Sequence, residues 1–507
     1  MRRELVLVFV AAVALYLPTV QYGIIQDDRA IIAANPAAHS IGAALRAFND
    51  PYWPRETGAG LYRPVTILSY ALDWTVSGGR TGWLHFMNAL WHGLATVLLV
   101  AVLARWLPTL AAVGAGLVFA WHPVHVEAVA SLVGRAELLA ACGILGAVLA
   151  ARRGWWIGAG VCAAAAMLSK EHGVIAGVVI LLDRWLQGTE GRRYPLGLWI
   201  GLGLVTAGFV IAWGIIGRAG VSDVAAAFYG RSAVGRLAIA LPAVLRAMTL
   251  LFWPLSLSAD YSPRVLPAYT GWSVAAMLGF GIVIALPVLV VWCRRRAPAV
   301  SLAAGIAALS YLPTSNILFA SGVVLAERNL YLAGALPAAI VASGLVWLAA
   351  QRGVRPAIAA LGLLALACGG RSLTRLPAWR DNRAQLLTLL VEHPESYRGH
   401  ASAAAVLAGT GDTAGARREY RTADSLFAGD PYLDAAHAIF LLGVGDTAAA
   451  IPLVARSRAH GAAERMALRA QFLLELARGN KSAAIAVADS ARRLNPRDQV
   501  WYRHYLP

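Results

Sequence analysis

The stretch Tyr22-Gly-Ile-Ile-Gln-Asp-Asp-Arg-Ala-Ile-Ile-Ala-Ala-Asn35 sets two adjacent carboxylates, Asp27 and Asp28, just behind an apolar run that starts at Leu5. The next apolar run begins only near Met87, so residues 23–87 read as a long polar loop on one face of a membrane. Working outward, the whole chain supports a membrane. Its 507 residues are 59% hydrophobic and 14% charged, with a mean hydropathy of +0.61. Such a composition excludes a soluble enzyme. The net charge of +17 raises nucleic acid as a partner, but much of the arginine sits at the ends of apolar runs. Orientation in the bilayer and contact with lipid phosphate are the better readings. Cys142, Cys162, Cys293 and Cys368 all lie in or beside apolar runs, so no disulfide framework is expected. Arg2 and Arg3 precede an apolar run that lacks a small-residue cleavage site, which is read as an uncleaved first span.

A helix crossing the hydrocarbon core takes about 20 apolar residues. That ruler places spans near 5–22, 88–105, 110–126, 135–151, 155–169, 173–187, 196–217, 271–293, 299–318, 331–350 and 356–372. The expectation is an all-α polytopic protein of about 11 transmembrane helices. If these spans alternate, Arg2-Arg3, Arg105, Arg152-Arg153, Arg192-Arg193, Arg294-Arg295-Arg296, Arg352 and Arg355 share one face. That face is then cytoplasmic, with the N-terminus inside and the C-terminus outside. Residues 232–256 are also apolar, but a full crossing there would break the arginine pattern. They read as a re-entrant or partly embedded helix.

The opposite face collects the unusual residues: Asp27 and Asp28, Arg63, His122-Pro-Val-His-Val-Glu127, Gly134-Arg-Ala-Glu137, Ser169-Lys-Glu-His-Gly173, Ser258-Ala-Asp-Tyr261 and Ala326-Glu-Arg-Asn329. Ionisable groups at membrane depth are expensive and persist where they have a task. Paired acids can serve as a general base or bind a divalent cation, against the blander reading of a helix cap and a solvated acid. His122, His125 and Glu127 have a spacing that could join a zinc site, although it is not His-Glu-x-x-His and lacks a further acid. Hydrogen bonding to a sugar or phosphate fits them better. Arg63, Arg135, Lys170 and Arg328 supply the fixed cations that a phosphate at an interface requires. Snorkelling or pairing with Glu137 and Glu327 is the plainer alternative for some of them.

Beyond about Arg375 the pattern becomes amphipathic. Gly411-Asp-Thr-Ala, Gly445-Asp-Thr-Ala and Gly479-Asn-Lys-Ser recur 34 residues apart. That is the tetratricopeptide period, with Gly closing one helix and Asp or Asn capping the next. Pro394, Pro431 and Pro496 fall at the junctions. The chain therefore divides into a membrane domain, 1–375, and a tetratricopeptide α-solenoid, 376–507, of about three repeats.

Gln26-Asp-Asp-Arg-Ala-Ile with Asn35-Pro36, Tyr62-Arg-Pro-Val-Thr-Ile-Leu-Ser-Tyr-Ala-Leu-Asp73, His122-Pro-Val-His-Val-Glu127 through Leu139, Leu168-Ser-Lys-Glu-His-Gly173 and Ala326-Glu-Arg-Asn-Leu-Tyr331 occur in this order. Together with the repeat tail, this set resembles the transmembrane and tetratricopeptide repeat-containing O-mannosyltransferases, which are GT-C glycosyltransferases. The resemblance implies transfer of mannose or a similar sugar, with inversion, from a polyprenyl-phosphate donor to an acceptor hydroxyl. That hydroxyl would be a Ser or Thr of a protein held by the repeats. It implies Asp27 or Asp28 as base, and donor contacts from Arg63, His122, His125, Glu127, Arg135, Glu137, Lys170, Glu171, His172, Glu327 and Arg328. The residues neither demand nor exclude a divalent cation. The Arg- and Ala-rich composition points to a bacterial inner membrane with the repeats outside the cytoplasm. A lipid or polysaccharide acceptor, or a non-enzymatic scaffold or lipid-carrier transporter, is the competing reading.

Overall fold

A computed structural model describes residues 2–54, 60–190, 193–217, 224–268, 271–460, 465–494 and 499–505. Arg192 and Pro496 lie outside the described residues. The described residues are helical or loop, without strands. Among the described residues, eight helices are long and apolar enough to cross a membrane, from Arg2–Gln21 to Val354–Trp379. Thr109–Ala120 and Pro123–Ala130 form a further pair bent by 49°. The bend falls where Pro123 removes an amide donor and starts a new helical segment. Trp156–Ser169 and Pro298–Thr314 are shorter apolar helices, and Ala176–Leu186 spans the position read as 173–187.

Two differences from the sequence reading matter. The loop 23–87 is not simply a polar connection: it contains the helix Pro64–Ser77, and the following span starts early, as Thr81–Leu103. Periodic apolar residues (Ile67, Tyr70, Ala71) pack against Ile31, Ile32, Leu84 and Leu132 in a separate small core. The second concerns Ala233–Phe252, which passes for a span by length and composition. Near its start, Arg236 donates to Ile317 O (3.1 Å), and near its end Leu251 O accepts from His122 Nε2 (2.9 Å). Ile317 follows a helix that begins just after Arg294-Arg295-Arg296, and His122 follows one that begins just after Arg105. Both partners thus sit at the end opposite the arginines. A 20-residue helix, about 30 Å long, has its two ends on one face and so runs along that face. Val274–Cys293 crosses it where Gly279 lies so close to Leu241 O that a Cβ would come within 1.9 Å. Among the described residues the remaining seven long helices, the bent pair and the shorter apolar helices are the candidate crossings.

At the arginine face, Arg152 ties three helix ends together. It pairs with Asp183 (Nε–Oδ2 3.0 Å) and donates to Val102 O (2.8 Å), with its guanidinium 4.8 Å from the Trp106 ring.

After the last span, the chain returns to the opening stretch. Gly23 N donates to Arg380 O (2.9 Å), and Gln26 N donates to Asn382 Oδ1 (2.9 Å). Helical hairpins follow: Tyr397–Gly409 with Thr413–Leu426, Pro431–Gly443 with Thr447–His460, and Arg465–Ala477 with Lys481–Leu494. Their turns use Gly411, Gly445 and Gly479 at φ +86°, +81° and +76°, a region that favours glycine. Asp412 and Asp446 then cap the second helices, accepting from Gly415 N (2.8 Å) and Ala449 N (3.3 Å).

Candidate active site

The two aspartates have different environments. Asp28 is fully buried, and its carboxylate accepts from three backbone amides: Val133 (2.9 Å), Ile25 (3.2 Å) and Leu132 (3.4 Å). It locks the opening stretch to the turn that precedes Arg135. Burial pushes its carboxyl up to about 7; the three amides oppose that shift, and Asp27 adds to it. Asp27 is only half-buried, and no hydrogen bond to it is seen among the described residues. It follows Gln26, whose φ of +41° is uncommon for a side chain with a Cβ and is held by the amide bond to Asn382. The free carboxylate is therefore presented from a constrained turn.

Around Asp27 stands a continuous set of cations and acids. Arg63 precedes Pro64, and Thr66 fixes that helix start by donating to Ser169 O (2.9 Å). Arg63 grips Glu171 through Nε (3.0 Å to Oε1) and Nη2 (2.8 Å to Oε2), and its guanidinium lies 4.9 Å from the Tyr52 ring centre. Burial raises the Glu171 carboxyl, but Arg63 outweighs it and holds the group below its ordinary value. The neighbouring Lys170 donates to Glu137 Oε1 and to Asn329 Oδ1 (3.0 Å). Burial, with Arg63 and Arg328 nearby, drives the Lys170 ammonium well below its ordinary value. Arg328, beside Asn329, donates through Nη1 to Glu127 Oε1 (2.7 Å) and through its backbone amide to Oε2 (2.9 Å). Asp27 and Glu127 stabilise its charge.

The cations differ in what they have left to offer. Arg63 Nη1, one Lys170 N–H, and Arg328 Nε and Nη2 make no hydrogen bond among the described residues. Arg135 is different. Its Nε goes to Asn88 Oδ1 (2.7 Å), Nη1 to Asp73 Oδ2 and Ser69 O, and Nη2 to Leu84 O (2.8 Å), with Tyr70 beneath it. Wholly buried, with every nitrogen engaged, Arg135 is an internal strut, which corrects its assignment as a donor contact.

The histidines are corrected likewise. His122 Nδ1 accepts from Val124 N (3.3 Å) and Nε2 donates to Leu251 O (2.9 Å). His125 lies between Phe119 O (2.7 Å) and Tyr331 O (2.9 Å). All four ring nitrogens face backbone at the break after Ala120, with a neutral His125 able to donate to only one of its two carbonyls, and none is turned toward sugar, phosphate or zinc. Among the described residues no three His, Cys, Asp or Glu groups are placed to hold a metal ion. His172 sits 3.6 Å from Glu137 Oε2, but burial and the Lys170 charge keep it neutral, so this is no ion pair. Glu327 turns away from the cations. It accepts from Ser258 N (2.6 Å) and Tyr261 OH (2.7 Å), and burial, partly offset by Arg375, lifts its carboxyl to about 7. Asn329 and Tyr52 also join the cluster, through Lys170 and Arg63; their signal in the sequence is their place in the segment Ala326-Glu-Arg-Asn329 and among the aromatic residues of the first loop.

No protein-family model matches the chain. It is 36% identical over 200 residues to protein O-mannosyl-transferase Tmtc2 of Drosophila melanogaster, covering 36% of this chain and 21% of the relative. It is 26% identical over 467 residues to protein O-mannosyl-transferase TMTC4 of Mus musculus, covering 78% of this chain and 62% of the relative. The chain matches about a fifth of the length of the Drosophila protein. Among solved structures, ArnT from Cupriavidus metallidurans bound to undecaprenyl phosphate aligns at 15% identity and a TM-score of 0.35, covering 78% of this chain and 80% of that one. In sequence, the chain is thus similar to the transmembrane and tetratricopeptide repeat-containing O-mannosyltransferases, as its ordered motifs indicate.

Proposed function

We propose that the protein is an integral-membrane glycosyltransferase of GT-C type that moves a sugar, mannose or similar, from a polyprenyl phosphate to an acceptor hydroxyl. One observation carries this reading: Arg63, Lys170 and Arg328 are each fixed by a carboxylate yet each keeps an N–H unused among the described residues, near the Asp27 carboxylate, which accepts no hydrogen bond from those residues. Fixed donors of that kind suit a phosphate whose negative charge grows as a bond breaks.

In the reaction, the acceptor oxygen attacks the anomeric carbon and its proton passes to Asp27. The bond from that carbon to the phosphate oxygen breaks, and the electron pair leaves with the polyprenyl phosphate. Phosphate is a good leaving group, so the second carboxylic acid needed in glycoside hydrolysis is not required. A divalent cation would find Asp27 and the phosphate as ligands. We place the site outside the cytoplasm, with the repeats on the same side selecting a protein acceptor. The named relatives favour mannose and protein over a lipid or polysaccharide acceptor.

The test is transfer from a polyprenyl-phosphate sugar in membranes, comparing wild type with Asp27→Asn. Unchanged turnover in the variant rejects the mechanism. Mass spectrometry of envelope proteins and glycolipids, with and without the gene, identifies the acceptor.

A further inference from the structure

Between the membrane part and the first hairpin lies a cleft of about 560 Å³, lined by Tyr229, Arg231, Pro263, Arg264, Pro267 and Phe427 among others. We propose that it seats an extended, acidic segment of the acceptor polypeptide; this rests on the protein-acceptor reading above.

Its floor is tied to both neighbours. Tyr261 OH donates to Glu327, next to Arg328 of the cation cluster, and Asp260 Oδ2 accepts from Ser396 Oγ (2.7 Å), the N-cap of Tyr397–Gly409. Arg264 stands in the left-handed region at φ +84° and is pinned there by Nε donating to Leu426 O (3.0 Å). Its Nη nitrogens, and the whole guanidinium of exposed Arg231, have no partner among the described residues. Among the described residues no carboxylate lines the cleft. Two cations without counter-charges among those residues select an anionic occupant. Two prolines with no N–H to offer and the Phe427 ring suit a narrow chain that brings its own exposed backbone. The volume takes a few residues of extended chain, not a folded domain. The link 426–429 between the first and second hairpins forms one wall, which favours a polypeptide over a lipid headgroup.

The experiment uses the full chain in neutral detergent with a labelled Glu/Pro/Thr peptide, read by fluorescence anisotropy without donor. Binding should weaken about tenfold in Arg231→Glu and further in Arg231→Glu/Arg264→Glu. It should be kept in Arg231→Lys and in a distant control, Arg418→Glu, and fall with salt. Because Arg264 pins a turn, Arg231→Glu alone keeps the test valid if the double variant misfolds. Equal binding of a Lys/Pro/Thr peptide, or no change on charge reversal, overturns the proposal. So does full displacement by phosphatidylglycerol vesicles, which would assign the cleft to lipid. Peptide binding through these arginines without any sugar transfer rejects the glycosyltransferase reading and leaves the cleft standing. Transfer to acidic acceptors that survives both reversals rejects the cleft and leaves the enzyme.

Discussion

Replacing Asp27 and Asp28 in turn should separate two neighbours that look equivalent in the sequence. Asp28→Ala leaves the buried amides of Ile25, Leu132 and Val133 without an acceptor. A buried donor so orphaned costs about 1–3 kcal/mol. Only the Val133 contact is short, at 2.9 Å, so the total should be about 2–4 kcal/mol. Asp28→Asn keeps one carbonyl acceptor and should lose less. Its pH behaviour is also distinctive. The carboxyl has a folded value of about 7 against an ordinary 3.8, so the folded state binds the proton more tightly than the unfolded state. The stability linked to that proton is complete below the unfolded value and is lost as pH rises through about 7. Asp28→Asn should remove this decline, so that the gap between wild type and variant narrows toward pH 8. Asp27→Asn should leave stability within about 0.5 kcal/mol while transfer falls about 10²–10⁴-fold. Thermal unfolding in detergent followed by tryptophan fluorescence, run across pH, reads the first aspartate effect; the membrane transfer assay reads the second. If Asp28→Ala unfolds at the wild-type temperature, or Asp27→Asn turns over normally, the division of labour is wrong.

Lys170→Ala should weaken donor binding and also destabilise the fold by about 3–5 kcal/mol, because Glu137 is left charged and buried; Lys170→Met/Glu137→Gln should recover most of the stability but not the donor affinity, as measured by unfolding and by a donor-binding isotherm. Gly279→Ala should cost at least about 1–3 kcal/mol, since its Cβ would collide with Leu241 O, and the loss is read as a lower unfolding temperature. Cysteines placed at Arg231 and Trp253, in a background with Cys142, Cys162, Cys293 and Cys368 replaced, should both react with an impermeant maleimide from the same side of the membrane. Labelling from opposite sides would show that Ala233–Phe252 crosses.

Much of the architecture was legible because it rests on local rules. The hairpin turns need glycine at positive φ followed by a capping Asp or Asn, so Gly411, Gly445 and Gly479 announce themselves at a fixed period. Arginine parity argues against a crossing at 232–256, and the contacts of Arg236 with Ile317 and of Leu251 with His122 are the observations that bear on it. The charged segments were legible as a group, but not which of their residues face one another or what each could do. Arg63 and Arg135 have the same side chain at similar depth. What separates them is the number of acceptors that distant segments bring up, Asn88, Asp73 and Leu84 in one case and Glu171 in the other. The same holds for His122 and His125, whose partners Leu251 and Tyr331 are remote in sequence.

The pairing of every site cation with an acid has a physical consequence. Bare guanidinium and ammonium groups at a membrane surface would attract phosphate strongly, but each would also be mobile and would repel the others. Glu171, Glu137 and Glu127 remove that freedom and most of the mutual repulsion, so the unused N–H groups point in fixed directions before any ligand arrives. With Asp27 added, the four carboxylates offset the three cations in formal charge, and the resting site has no large net attraction for phosphate. In the proposed reaction, ground-state binding would then be modest, while charge that develops on a departing phosphate would meet donors already aligned. Interactions stronger in the transition state than in the ground state are the ones that accelerate a reaction. Arg135, saturated by its own fold, could not contribute in this way, which is why unused hydrogen-bond capacity, and not charge alone, marks the residues of the site.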